Sequence, residues 1–362
     1  MHDAKTQTTS GLSDSERALF SRSVRDFLGN IWPAAQAVEN CASAEALAKL
    51  PPAMARQGLS ALGSDAAEAG LREILLVFEE LGRASCPAPL LGAVAANLAL
   101  ANAPSNTARA LLADVHAGKA SIALALGGFD GDAAAGRVDV HGETMRGSLS
   151  FVEGARTAGH LLVCTREPAG AALVATDARG VRVEPTPGLA VPPLCNVTFE
   201  DASVAWTPVA YDLLADTACI ARLACAARAL GAAERAFELA VEHAKVRKQF
   251  GQPVGQFQAV AHKLANCRIS LDGARLALEH TAHARDDDNP DWKVFASAAL
   301  AFAGPALRAV SIETHRALGA IGYAEEHEAP RHFRRVHADL ARFGGVRRAR
   351  ADLADFLLGP VE

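Results

Sequence analysis

The sequence predicts an α+β chain with segregated parts: a helical first third, a β middle and a helical bundle at the end. Three observations carry this. Residues 13 to about 115 follow a helical period, residues from about 120 to 208 break into short β-branched runs, and a sustained helical period returns from about 212. The expected division is 1–117, 118–209 and 210–362. Half of the 362 residues are apolar, enough for two or three cores, and the abundance of Ala favours helix and close helix packing.

The first zone opens on Ser13-Asp14-Ser15-Glu16, a capping box that starts a helix through Leu19, Phe20, Val24 and Phe27. Residues 71–83 place Ile74, Leu75, Phe78 and Leu81 on one stripe, with Gly82 and the prolines at 87 and 89 expected to end the helix. In the middle zone SIALAL, RVDV, HLLVC, AALVAT, VRVE and NVTFE read as strands, six or more, of a small antiparallel barrel or sandwich. In the last zone Val260, Leu264, Cys267, Leu271, Ala274 and Leu278 step by four and three, the seam of a four-helix-like bundle. Residues 285–291 read as a solvated polar turn, with Pro290 in the first turn of the next helix.

Composition excludes several classes. A net charge of −5 without a basic tract gives no basis for nucleic-acid binding. Seven scattered cysteines lack metal spacing and suit buried thiols in a reducing, cytoplasmic setting. No leader pattern occupies the first thirty residues, and residues 86–104, though uncharged, carry prolines and asparagines and read as a buried helix rather than a membrane span. His243 and His262 lack ligand-spaced partners, and Cys219 and Cys225 read as core. Glu325, Glu326, His327 and Glu328 beside Arg331, Arg334 and Arg335 read as an ion-pair network.

Residues 245–258, KVRKQFGQPVGQFQ, ask more of a helix end than a turn requires. Cations at Arg247 and Lys248 offset the helix dipole, which is the ordinary reading. The same atoms suit a dinucleotide: an Arg fork for phosphate, Phe250 or Phe257 for a purine, Gly251 and Gly255 for close backbone approach, Gln258 as donor and acceptor. On the residues alone both readings stand.

The stretch resembles the acyl-CoA dehydrogenase signature, in which R-x-Q-F-G is followed by F-Q. HRALGAIGYAEE at 315–326 is similar to that family's Q-x-x-G-G-x-G-F/Y-x-x-E, and FEELGRASCPAPLL at 78–91 to its N-terminal E-L-G-R…P segment. The resemblance implies an N-terminal helical domain, a middle β-barrel domain and a C-terminal four-helix bundle, with FAD as cofactor and a tetrameric flavoprotein. It implies α,β-dehydrogenation of an acyl-CoA thioester, with electrons passed to an electron-transfer flavoprotein. Carried over, Arg247, Gln249, Phe250, Phe257 and Gln258 would hold the adenosine and pyrophosphate end of an FAD seated mainly in a neighbouring subunit. Arg316, Gly319 and Gly322 fall in the glycine motif, where Arg316 replaces its first Gln and Ala320 its second Gly. Arg222 matches a substrate-facing arginine.

The resemblance fails where chemistry is done. Proton removal beside a thioester needs a carboxylate. At one family position of that Glu stands Ala221, at the other Phe343, and no acid lies within two residues of either. The catalytic residue of this chain is therefore unassigned. The T-E-P-x-x-G-S-D segment is replaced by LALGGFDGDAAAG, and the Trp-Ile/Val-Thr/Ser whose hydroxyl meets flavin N5 by Phe151-Val152-Glu153. Glu153 reads either as a carboxylate facing the flavin position or as an exposed barrel-edge residue. The expectation is a diverged subunit of a hetero-oligomer, for a bulky or sterol-type acyl-CoA, whose homologous partner supplies the base. The alternatives are a non-catalytic acyl-CoA-binding scaffold and a homotetramer with an unfamiliar base.

Overall fold

The computed structural model describes residues 12–359 except 68, 102, 104, 127–135, 167 and 189–192. Helix α1 (Asp14–Ile31) opens on the predicted capping box, with the Ser13 amide donating to Glu16 at 2.8 Å. Three short helices follow, α2 (Ala37–Ala42), α3 (Ala44–Ala48) and α4 (Leu50–Arg56), then α5 (Leu71–Arg83), α6 (Leu90–Leu100) and α7 (Asn106–His116). The uncharged stretch 86–104 resolves into the eleven-residue α6, buried on almost every side. Its one buried polar side chain is satisfied: Asn97 donates to the carbonyls of Ser60 and Leu62 and meets His116 Nε2 at 2.8 Å.

The middle zone forms β1 (Ile122–Ala125), β2 (Gly136–His141), β3 (Thr144–Glu153), β4 (His160–Arg166), β5 (Ala169–Ala175), β6 (Val181–Pro185), β7 (Leu194–Ser203) and β8 (Ala205–Pro208). The β domain takes the form of two four-stranded sheets, ordered β1-β4-β5-β8 and β2-β3-β7-β6, sharing a core of Met145, Leu149, Leu161, Val163, Val197 and Phe199. Two strands escape the sequence pattern. β3 carries register shifts at Met145/Gly147 and Leu149/Val152, which break its alternation, and β8 is a short edge strand ending in Pro208. The antiparallel expectation holds except at one pair: β1 lies parallel to β4, because a long connection containing β2 and β3 returns the chain to the same end.

The last zone holds α8 (Tyr211–Val246), a two-stranded hairpin of β9 (Lys248–Gln249) and β10 (Gln252–Pro253), then α9 (Gln258–Asp286), α10 (Trp292–Leu318), α11 (Ala329–Ala341) and α12 (Gly345–Leu358). α8 is the axis of the molecule. It packs against α5, α6, α9, α10 and α11, so residues 223–233 are buried without interruption and the helix carries Ala all round rather than a stripe. The predicted α9 seam is buried at Leu264, Cys267, Leu271, Ala274 and Leu278. Trp292–Tyr323 is long and apolar enough to cross a membrane, but half of its apolar window is buried and α10 packs on α8, α9 and α12.

Two sequence readings change here. Gly82 does not end α5; it lies inside the helix, where an added Cβ would stand 1.8 Å from the Arg228 carbonyl oxygen. Gly231 answers it from α8, with a Cβ position 1.8 Å from the Glu79 carbonyl oxygen, so the two backbones touch where the helices cross. Asp286 is not a solvated turn residue: its carboxylate accepts from the amides of Leu71 and Arg72 and from Arg72 Nε, capping α5 from another element.

Candidate functional site

The opening signature forms a compact corner. α8 ends at Val246, and the carbonyl of the next residue, Arg247, accepts from the Val254 amide at 2.8 Å across the β9–β10 hairpin. The two residues at the hairpin tip, Phe250 and Gly251, have φ of +52° and +80°. Hairpins of this length favour such geometry, but a Phe there costs about 1–2 kcal/mol. Phe250 points outward from the turn, 93% exposed, with its ring 6.2 Å from that of Phe257 and nearly perpendicular to it. Arg247, Lys248 and Gln249 are exposed beside it. Gln258 begins α9, a 29-residue helix with no side-chain cap at its start.

The glycine segment lies against this corner. α10 ends at Leu318, Gly319 takes φ +64°, and Gly322 is buried with an added Cβ only 3.2 Å from the His315 carbonyl. Val254, Val260, Ala317 and Leu318 share one apolar cluster with Ala240 and Ala244. Lys263 of α9 meets Glu313 of α10 at 3.1 Å, and Glu313 also holds the exposed Arg316. Thus the structure brings Arg247, Gln249, Phe250, Phe257 and Gln258 into the neighbourhood of Arg316, Gly319 and Gly322. The acidic cluster behind them is a network only in part: Glu325 pairs with Arg334 and Glu328 with Arg235, while Arg331 and Arg335 bond no carboxylate among the described residues.

Arg222 lies elsewhere. Its Nη1 donates to Asp352 of α12 at 3.0 Å, on the wall of a cavity of about 290 Å³ shared with Cys219, Lys293 and Phe356. Asp352 is the group that makes its burial tolerable.

The position of Glu153 settles the alternative left open by the sequence. It is neither a free carboxylate nor an exposed edge residue. Arg228 of α8 donates to both its oxygens at 2.7 Å, Arg342 donates to one of them, and Arg228 also grips both oxygens of Asp339 on α11. Burial pushes the Glu153 carboxyl up, but the charges of Arg228 and Arg342 overcome it and hold the group down at about 2. Arg228, Asp339 and Arg342 form a buried network with Glu153 that sequence reasoning missed. The available signal was a lone Arg within the uninterrupted apolar run 223–233, since a cation in a helix buried all round requires carboxylates from other elements.

Phe343, at the second position expected for a base, has φ +53° and its ring lies 4.5 Å from the Arg342 guanidinium carbon. Gly344 and Gly345 continue with positive φ, so the segment is a tight left-handed turn carrying no acid. The residues of the exposed corner suit the adenosine end of FAD. The exposed Arg, the uncapped helix start and the outward Phe suit a pyrophosphate and an adenine. At the ring end, the residue standing for the flavin-facing hydroxyl is a carboxylate turned inward and clamped by two arginines.

Comparison with known proteins agrees with this reading of the chain's descent. The model of the acyl-CoA dehydrogenase C-terminal domain matches residues 214–354. Acyl-CoA dehydrogenase IpdE2 of Mycobacterium tuberculosis is 35% identical over 268 residues, 74% of this chain and 72% of that one. Among solved structures, the Tcur3481-Tcur3483 steroid ACAD superposes with a TM-score of 0.83 at 27% identity, covering 95% of this chain and 98% of that one. The ChsE4-ChsE5 complex of M. tuberculosis gives 0.84 at 20% identity, covering 97% and 99%, a likeness of fold. With two-thirds of a relative covered at this identity and the fold shared over nearly its whole length, the chain belongs to the acyl-CoA dehydrogenase family, whose members are FAD flavoproteins.

Proposed function

We propose that this chain is the diverged subunit of a hetero-oligomeric acyl-CoA dehydrogenase acting on a bulky, steroid-type acyl-CoA, and that it supplies the adenine end of a cofactor site completed by a homologous partner. The observation that carries the reading is the state of the ring end. Phe343 replaces the base, and Glu153 is locked to Arg228 and Arg342 instead of facing a cofactor. One relative supports the substrate class by its description as a steroid ACAD.

In this reading Arg247 and the start of α9 bind the pyrophosphate by charge-assisted hydrogen bonds, and Phe250 stacks on the adenine with the Phe257 ring edge-on beside it. Arg316, Gly319 and Gly322 lie on the neighbouring wall and let the backbone approach. FAD supplies the hydride acceptor, and an electron-transfer flavoprotein removes the electrons. The partner's carboxylate takes the proton α to the thioester. The setting is a reducing one, the cytoplasm, supported by seven cysteines that are all free.

The test is to purify the chain alone and together with an acyl-CoA dehydrogenase encoded beside it. Bound FAD, assembly size and turnover of a steroid acyl-CoA are measured for each. The expected result is a colourless chain alone and a yellow, active complex. A yellow, active homo-oligomer of this chain alone overturns the proposal in favour of an unfamiliar base. Tight acyl-CoA binding with no flavin in either preparation overturns it in favour of a scaffold.

A further inference from the structure

Helix α10 carries a second apolar row on its outward face. The exposed residues between Lys293 and Arg316 are Ala298, Phe302, Pro305, Ala309 and Ile312. They step by four and three, the spacing of a coiled-coil seam, and none is charged. The row buried against the other helices is a separate one, through Ala299, Ala303, Leu307 and Val310. The outward face of a soluble helix is ordinarily polar. α9 repeats the pattern alongside. Asn266, Ile269, Gly273, Leu276 and His280 follow the same spacing, with Ile269 and Leu276 70% and 64% exposed, and the charges at Lys263, Asp272 and Glu279 fall outside the row. The two rows make one face: the Phe302 ring lies 3.0 Å from the Cβ position of Gly273, and the His280 and Phe295 ring centroids are 4.8 Å apart.

Size and pattern say what covers it. From Val294 to Ile312 the face is about 27 Å long, and two helices side by side are about 20 Å wide. That is about 500 Å² on one chain and about 1,000 Å² for two such faces together, the lower bound for a specific interface. The α10 row is also complementary to itself. Phe302 and Ala309 flank Pro305 on either side, and Ala298 and Ile312 flank it at equal distance further out. Two copies of α10 laid antiparallel about a two-fold axis at Pro305 set each large side chain against a small one, Phe302 against Ala309 and Ile312 against Ala298. A two-fold interface requires such self-complementarity, and a partner of unrelated fold gives no reason for it.

We propose that the α9–α10 face docks a second copy of this chain, with the two α10 helices antiparallel and crossing at Pro305, so that the assembly holds this chain as a pair. The pairing uses none of the cofactor-corner residues. It concerns assembly alone and holds whether or not the chain binds flavin.

Sedimentation equilibrium tests this on the chain alone and in complex with the acyl-CoA dehydrogenase encoded beside it, with flavin content read separately. An even number of copies is expected in both. Ala309→Glu sets a charge against Phe302 of the second copy, so it should raise the dissociation constant of the pair at least about a hundredfold. Position 309 is exposed in the single chain, so the far-UV circular dichroism should not change. Adding Phe302→Lys should restore pairing through an ion pair across the axis, and Asp139→Lys, exposed on β2, should leave it intact. Pro305→Cys, oxidised in the intact complex, should link two copies of this chain, and Asp139→Cys should not. A monomeric parent chain, or pairing undiminished in Ala309→Glu, overturns the proposal. Loss of pairing that Phe302→Lys does not restore overturns the crossing at Pro305. A Pro305→Cys link to the other chain gives the face to the homologous partner and overturns it too.

Discussion

Glu153 and Arg228 face each other across the joint between the β sheets and the helical bundle, with two hydrogen bonds of 2.7 Å between them. One lies at the end of β3 and the other in the middle of α8, so the pair fixes how the two layers meet. Breaking such a pair costs far more than the pair contributes, because the remaining charge stays buried. Glu153→Gln should therefore destabilise the chain by about 3–5 kcal/mol in denaturant unfolding. The double variant Glu153→Leu with Arg228→Met should lose less than the sum of the two single variants. Strict additivity in that cycle refutes the coupling.

The same pair predicts an acid limb. The ordinary carboxyl value for Glu153 is 4.5 and the folded value about 2. A group whose value is depressed on folding stabilises above its unfolded value and loses that contribution as pH falls toward the folded one. Stability should be level above about pH 4.5 and decline toward pH 2, by about 3 kcal/mol from this group. Glu328 is also held at about 2: burial opposes it, and hydrogen bonds from His332 and Arg235 prevail, so it adds to the limb. Urea unfolding between pH 6 and 2.5 should show a shallower decline in Glu153→Gln than in the parent. Parallel curves count against the assignment.

Close helix contact gives a third expectation. A Cβ at Gly82 or Gly231 would overlap backbone on the facing helix, which cannot move aside as a side chain can. Each Gly→Ala variant should cost about 3 kcal/mol or more, despite the better helix propensity of Ala. A soluble variant with an unchanged melting temperature contradicts the contact.

At the exposed corner, stability and binding should separate. Phe250 is 93% exposed, so Phe250→Ala should change unfolding free energy by no more than about 0.5 kcal/mol. If it stacks on an adenine, the variant should raise the FAD dissociation constant of the assembled complex about tenfold, and Arg247→Ala at least as much. Equilibrium dialysis of FAD against the complex decides this. Unchanged retention in both variants removes the corner from the cofactor site.

A further distinction concerns Asp286, which caps α5 by accepting from the amides of Leu71 and Arg72. Asp286→Ala should cost about 1–2 kcal/mol, whereas Asp288→Ala, at an exposed turn position, should cost almost nothing. Equal effects in denaturant unfolding contradict the cap.

The sequence alone determined what depends on neighbours along the chain. The capping box at Ser13, the α9 seam and six of the eight middle-zone strands among the described residues are local patterns, and hydrophobic period reads them directly. The Arg247–Gln258 corner was legible for the same reason: a helix end, a two-residue hairpin and a new helix are contiguous, so their chemistry is written in one stretch. Tertiary structure decided everything that depends on distant pairing. Gly82 reads as a helix stop until α8 is laid across it, and Asp286 as a solvated turn until α5 starts beside it. Glu153 had two readings in sequence, and its burial excludes the exposed-edge one; its arginine partners were not legible, because they lie 75 and 189 residues away. Charges buried between layers find their partners by geometry, and no local period encodes which cation will face which carboxylate.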